Sequence, residues 1–339
     1  MNAHKAMFWE PVEGDVVRCS LCRFRCLIAD GHRGVCGVRE NRKGVLYTLV
    51  YGRSIAENAD PIEKKPLFHY YPGSRSFSVA TVGCNFRCLH CQNYEISQWP
   101  RERKDIPGRE LPPEQIVREA KAAGCRTIAY TYTEPTVFYE YAYDTAVLAR
   151  QEGIDNVFVT NGYTSPEALE RIAPHLGAAN VDLKGFSDRF YREVAGATLE
   201  GVLDTLRVYR RLGIWLEVTT LVIPGHNDDE EQLAGIADFI AGELGPEVPW
   251  HVTAFYPTYK MLDSPRTPVA TLRRARQIGL DAGLKYVYEG NVPGEGGENT
   301  FCPACKELVI ERSGYRLGAV RIEEGQCASC GETLDGVGL

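Results

Sequence analysis

Between residues 77 and 288 the apolar positions switch period repeatedly. Short continuous runs that suit buried strands give way to i, i+3, i+4 spacings that suit helices. Strands are predicted over 77–82, 127–132, 156–160, 179–183, 215–223, 250–255 and, more briefly, 285–288. Helices are predicted between them over 112–124, 135–151, 166–175, 199–212, 230–244 and 269–282. Pro112 and Pro113 stand where the first helix begins and Gly124 where it ends, the usual polarity of helix punctuation. Six or seven βα units in succession imply parallel strands joined by right-handed crossovers. The expected fold class is therefore α/β, a partial or closed barrel.

The pattern lapses at both ends. Residues 18–47 show little helical or strand periodicity, and Gly31, Gly34 and Gly37 supply turns. Residues 48–76 read as a connecting segment in which Pro61 and Pro66 forbid a continuous helix. Near the other end, Val292-Pro293-Gly294-Glu295-Gly296-Gly297-Glu298 is a linker. It lacks G-x-G-x-x-G and opens no helix, so it is not read as a phosphate loop. A strand over 315–322 follows it. Three parts result: an N-terminal module with its connection (1–76), the barrel (77–290) and a C-terminal module (291–339).

Composition narrows the function. The 339 residues are 44% hydrophobic and 24% charged, ordinary for a soluble globular chain. The net charge is −7, from 38 basic and 45 acidic residues, so no domain-wide basic footprint points to nucleic acid. No apolar run approaches a membrane span, and the first residues lack a signal-peptide core; a cytoplasmic location is expected. In that reducing compartment, 12 cysteines read as metal or redox ligands rather than disulfides.

All but Cys125 fall into three groups. Cys84, Cys88 and Cys91 form C-x₃-C-x₂-C on the loop after the first strand. A cubane cluster usually takes four thiolates, so three leave one iron open, and an open metal position marks a chemical site rather than a structural one. The bland alternatives are a zinc knuckle or small buried core residues. Cys19, Cys22, Cys26 and Cys36, at C-x₂-C-x₃-C-x₉-C, can close a tetrahedral zinc site or hold iron–sulfur. The spacing alone does not choose, and a closed site suits structural zinc. In this module Arg18, Arg23, Arg25, Arg33, Arg39, Arg42 and Lys43 outnumber Asp30 and Glu40. That is a solvated basic surface first, and a dock for an acidic electron donor second. Cys302/Cys305 and Cys327/Cys330 are two knuckles of a zinc-ribbon-like module, with rubredoxin-like iron the minor alternative.

Polar residues gather where predicted strands end, the face on which βα barrels carry their chemistry. Glu134 follows the second strand, Thr160 and Asn161 the third, Asp182 and Lys184 close the fourth, and His251 lies on the sixth. Singly, each has a plain structural reading: a helix N-terminal acid, a surface pair, a satisfied core histidine. Their repetition at strand ends beside a three-cysteine loop favours a site.

The C-x₃-C-x₂-C spacing is that of radical SAM enzymes. Longer strings extend the likeness: Asp60-Pro61-Ile62-Glu63-Lys64-Lys65-Pro66-Leu67, Thr81-Val82-Gly83-Cys84-Asn85-Phe86 and Tyr130-Thr131-Tyr132-Thr133-Glu134-Pro135. With the two outer cysteine modules, the whole chain resembles the radical SAM enzymes of the AmmeMemoRadiSam system. Its barrel resembles activating enzymes of glycyl radical enzymes, of the pyruvate formate-lyase activase kind. The resemblance implies a partial (β/α)₆ barrel, a [4Fe-4S] cluster on Cys84, Cys88 and Cys91, and S-adenosylmethionine (SAM). It places His90 against the adenine and Glu134, after Thr133, on the methionine amino group. The family's two glycines before that acid are Tyr132 and Thr133 here. Thr160 and Asn161 stand in its Thr-Asn-Gly, Asp182 and Lys184 in its Asp-Leu-Lys with Lys184 toward the SAM carboxylate, and His251 in place of a late SAM-contacting histidine. Val159 replaces the acid that accompanies a monovalent cation site in the activases, so no cation is expected.

The implied chemistry is reductive cleavage of SAM to a 5′-deoxyadenosyl radical that takes hydrogen from a substrate. A flavodoxin or ferredoxin would supply the electron. The expected substrate is a protein or peptide, encoded nearby. A small metabolite is the alternative, and a non-catalytic metal-binding scaffold the remote one. No membrane or nucleic-acid partner is expected.

Overall fold

The chain is seen here in a computed structural model that describes residues 4–339. It divides into two units. The first holds the described residues up to Asp60 together with Ser76–Gly177; the second holds Pro61–Arg75 and Ala178–Leu339.

In the first unit, strands Arg75–Ala80, Thr127–Tyr130 and Asp155–Thr160 are parallel neighbours in that order. Thr127 pairs with Ser76 on one side and Asp155 on the other, and Tyr130 with Val79 and Phe158. Their side chains are buried almost throughout, as strands covered on both faces must be. Helix Pro113–Ala122 turns Ile116, Val117 and Ala120 inward and ends at Ala123, with Gly124 beyond at φ 64°. The predicted helix over 135–151 is a 3₁₀ turn, Pro135–Phe138, running into α-helix Tyr139–Gln151. Two short helices, Tyr94–Ser97 and Trp99–Glu102, follow the cysteine loop and were not foreseen.

Ala56–Pro61, read from sequence as connection, adds a strand beside Arg75–Ala80. The N-terminal module is more regular than its sequence pattern. Trp9–Pro11, Val17–Cys19 and Leu27–Ile28 form one antiparallel sheet; His4–Lys5, Val45–Thr48 and Arg39–Arg42 form another. Strands of two to four residues are too short for a period of two to show.

In the second unit, Ala178–Asp182, Trp215–Val222, Trp250–Ala254 and Val287–Gly290 are parallel neighbours in sequence order. Helices Leu199–Arg211, Glu230–Phe239 and Val269–Asp281 alternate with them. Asp229 caps the second of these by accepting the Gln232 N–H at 2.9 Å. The C-terminal module is built on Thr300–Phe301, Leu308–Ser313 and Arg316–Val320, so the single strand predicted over 315–322 is one arm of a hairpin. Cys302, Val309, Cys327 and Leu334 are its core. Among the described residues no helix is long and apolar enough to cross a membrane.

Candidate functional site

The loop after strand Arg75–Ala80 is held by its neighbours rather than by regular structure. Gly83 has φ 102°, and a Cβ there would lie 2.7 Å from Val38 Cγ1, so only glycine fits. Arg101 reaches up from helix Trp99–Glu102 and donates to the carbonyls of Cys84 (2.7 Å), Asn85 (3.1 Å) and Phe86 (2.7 Å). The Phe86 N–H points at Cys84 Sγ from 3.3 Å, and Cys91 Sγ lies 3.2 Å from the Ser97 hydroxyl. Burial, then the nearby Glu134 and the two neighbouring thiols, push the Cys84 thiol well up, with Arg101 opposing them. A bound metal removes such a proton outright.

Asn161 joins this loop to Glu134. Its Nδ2 donates to Asn85 Oδ1 at 2.7 Å and lies 3.7 Å from Cys84 Sγ, while its backbone N–H donates to Glu134 Oε2 at 2.8 Å. Glu134 Oε1 accepts from the Thr136 N–H (3.0 Å), the Thr136 hydroxyl (2.6 Å) and the Thr160 hydroxyl (2.8 Å). The carboxylate is 1% exposed, and burial raises its pKa against the pull of these donors. Asn85 Nδ2 and Asn161 Oδ1 are buried without a partner, a donor and an acceptor left over beside Cys84. Thr133 donates instead to the Thr81 carbonyl at 2.8 Å, and His90 is buried at 4% exposure. Tyr132 occupies φ 63°, the left-handed region that favours glycine. Its hydroxyl donates to Asp60 Oδ2 at 2.5 Å, and its carbonyl accepts from Asn93 at 2.7 Å. This left-handed conformation is held by bonds at both the hydroxyl and the carbonyl of Tyr132.

In the second unit Lys184 Nζ lies 2.7 Å from Asp182 Oδ2, in a part-buried pair. His251 is 2% exposed; its Nε2 is 2.7 Å from Glu217 Oε2 and its ring stacks on Tyr288. Glu217 is the hub. It also accepts the backbone N–H groups of Phe68 (3.0 Å) and His69 (2.8 Å) and the Trp215 indole N–H (3.2 Å). Burial alone would raise its carboxyl, but His251 and these donors hold it below the usual range. His69 bridges the Asp335 carbonyl (2.6 Å) and the Tyr288 hydroxyl (2.5 Å). Sequence reasoning passed over Glu217, although an acid inside the apolar run Trp215-Leu216-Glu217-Val218 was a signal. It also left the 60–69 string without a role. Asp60 holds Tyr132 in the first unit, and Phe68 and His69 hold Glu217 in the second.

The two outer cysteine sets differ. Cys302 Sγ is 3.7 Å from Cys330 Sγ and Cys305 Sγ 3.7 Å from Cys327 Sγ, with all four sulfurs within 4.8 Å of one another. The Ser329 N–H lowers the Cys327 thiol. This set can hold one metal ion. Cys19, Cys22, Cys26 and Cys36 instead line a cavity with Leu21, Ile28, Val35, Arg39 and Asn85. Burial, then Cys19, raises the Cys22 thiol, and burial raises that of Cys36 to about 11.

The family model described as the radical SAM superfamily matches residues 78–237. An uncharacterized protein of Methanocaldococcus jannaschii is 49% identical over 98% of each chain. The pyruvate formate-lyase-activating enzyme of Clostridium pasteurianum is 22% identical, over 64% of this chain and 93% of its own. The crystal structure of a radical SAM methyltransferase from Sphaerobacter thermophilus superposes with TM-score 0.51 at 17% identity, over 70% of this chain and 71% of that one; this likeness is one of fold.

Proposed function

The chain belongs to the radical SAM superfamily, and from that premise we propose that it activates a protein or peptide by hydrogen abstraction, in the manner of glycyl-radical-enzyme activases. The observation that carries this reading is the Cys84 loop. It presents three thiols that do not gather round a single ion, next to the unpartnered Asn85 Nδ2 and Asn161 Oδ1. Those residues fit a [4Fe-4S] cluster on Cys84, Cys88 and Cys91 with SAM at its open iron. When bound, that pair supplies one-electron cleavage of the sulfonium and a 5′-deoxyadenosyl radical.

The chain's own groups prepare the place. The Phe86 N–H and Ser97 hydroxyl point at ligand sulfurs, a contact that tunes such clusters. Arg101 keeps the loop's carbonyls together. Glu134 positions the Asn161 backbone and keeps one lone pair, on Oε2, for the SAM amino group. Lys184, now paired with Asp182, would hold the SAM carboxylate and His90 would face the adenine, while Thr160 and Thr133 hold the strand ends. Glu217 fixes His251 through Nε2, so a SAM contact falls to the other edge of that ring. The C-terminal cysteines, with sulfur pairs 3.7 Å apart, suit one tetrahedral ion, and the two-knuckle spacing favours zinc for it.

The similarity to a pyruvate formate-lyase-activating enzyme, whose target is a protein, supports a polypeptide substrate. Reduction of the cluster calls for a one-electron donor, of the flavodoxin or ferredoxin type in this reading. The test uses reduced enzyme, SAM and proteins encoded beside it, each produced in deuterated form. Deuterium arriving in 5′-deoxyadenosine from one of these proteins supports the proposal. Turnover with a small metabolite, at a rate indifferent to every protein, refutes it.

A further inference from the structure

We propose that Cys19, Cys22, Cys26 and Cys36 hold a second, fully ligated [4Fe-4S] cluster beside the catalytic loop, rather than the structural zinc their spacing suggests. The chain contains its own comparison. Among the described residues, Cys302, Cys305, Cys327 and Cys330 are the one group of such side chains gathered closely enough for a single ion. The N-terminal four do not gather, and neither do Cys84, Cys88 and Cys91. A zinc ion pulls its four sulfurs to about 3.8 Å from one another and leaves no space among them. The N-terminal thiols line a cavity of about 20 Å³. A single enclosed water needs about 10–15 Å³, so the thiols leave room among them that a closed zinc site does not, and a body larger than one ion can enter it.

A second observation is independent of the sulfurs. Arg39 lines the same cavity at 2% exposure. Its Nη2 is taken by the Met7 carbonyl and by Glu140 at 3.1 Å, but Nε and Nη1 have no partner. Two buried donors without acceptors, in a wall of thiols, mark an absent acceptor. Sulfide and thiolate sulfurs are acceptors, and the guanidinium offsets their negative charge.

The location gives the cluster its use. Asn85, next to Cys84 in the chain, also lines this cavity. Arg101 donates to the Val35 carbonyl at 2.9 Å as well as to the carbonyls of Cys84, Asn85 and Phe86. With four thiolates and no open iron, the cluster has no position for SAM; it passes electrons. One electron from a flavodoxin- or ferredoxin-type donor reduces it, and the same electron moves on to the catalytic cluster, leaving the relay oxidised. The relay rests on the catalytic reading of the Cys84 loop; the iron site does not.

Iron and zinc counts on the anaerobically purified full chain test the site without any variant. About eight irons and one zinc per chain are expected, against about four irons and two zincs if the N-terminal site is zinc, which would overturn the proposal. With Cys84, Cys88 and Cys91 all changed to Ala, about four irons should remain, with a reduced-cluster EPR signal unchanged by SAM. Cys26→Ala should remove about four irons and leave a cluster whose signal does respond to SAM. In that variant, reduction of the catalytic cluster by flavodoxin should slow at least tenfold while reduction by dithionite does not. Equal slowing, or none, overturns the relay but leaves the iron count standing. Absence of any SAM-responsive signal in the wild type would count against the catalytic reading alone.

Discussion

Glu134→Gln probes the link between the strand-end acid and the cysteine loop. The carboxylate accepts three bonds on Oε1 and one on Oε2, all from buried donors. Glutamine can keep its oxygen toward Thr136 and Thr160, but its NH₂ then faces the Asn161 N–H. One buried backbone donor loses its acceptor, a loss of about 1–3 kcal/mol, and three bonds to a charged acceptor become bonds to a neutral one, about 1 kcal/mol each. Removing a buried charge returns part of this, for a net loss of about 2–4 kcal/mol. At about 2–4 °C per kcal/mol for a domain of this size, the thermal midpoint of the first unit should fall by roughly 5–15 °C. Because Asn161 also donates to Asn85 and Cys84, iron retained on the Cys84 loop should fall too. Differential scanning calorimetry and iron analysis read both. An unchanged midpoint with full iron and weaker SAM binding would refute the reasoning: Glu134 would then be a ligand to the SAM amine and no organiser of the loop.

Burial depresses the His69 imidazole from 6.5 to about 4. The unfolded chain takes up that proton first, so the stabilisation is whole above pH 6.5 and is lost as pH falls toward 4, by at most about 1.4 kcal/mol per pH unit. His69→Gln should flatten the pH dependence of the denaturation midpoint over that window, and parallel curves for the two proteins would rule it out. Tyr132→Phe removes the bond to Asp60 but leaves the left-handed backbone, and should lower stability by about 1–2 kcal/mol in urea titrations; no change would mean the anchor is idle. Lys184→Ala should weaken SAM binding by about ten- to a hundredfold with cluster assembly intact, read by equilibrium dialysis; unchanged affinity would place the carboxylate elsewhere.

What could be read from the chain was local. The βα alternation, the three-cysteine loop and the C-terminal knuckles each lie within one stretch, so period and spacing carry them. Predicted strand 215–223 is Trp215–Val222, and predicted helix 199–212 is Leu199–Arg211. What could not be read joins distant residues. Glu217 acquires its meaning from backbone N–H groups at Phe68 and His69, and backbone donors leave no trace in residue type. Asp60 depends likewise on Tyr132, and the left-handed φ of Tyr132 runs against its own preference. Spacing counted the N-terminal thiols but could not measure the space between them.

The most direct test of the account is production of 5′-deoxyadenosine. Wild-type enzyme, reconstituted anaerobically with iron and sulfide and reduced, should convert SAM to 5′-deoxyadenosine and methionine, and its catalytic-cluster EPR signal should change when SAM is added. Cys88→Ala should abolish both while the C-terminal metal is retained. A Cys88→Ala protein that still makes 5′-deoxyadenosine, or a fully iron-loaded wild type that makes none, would contradict it.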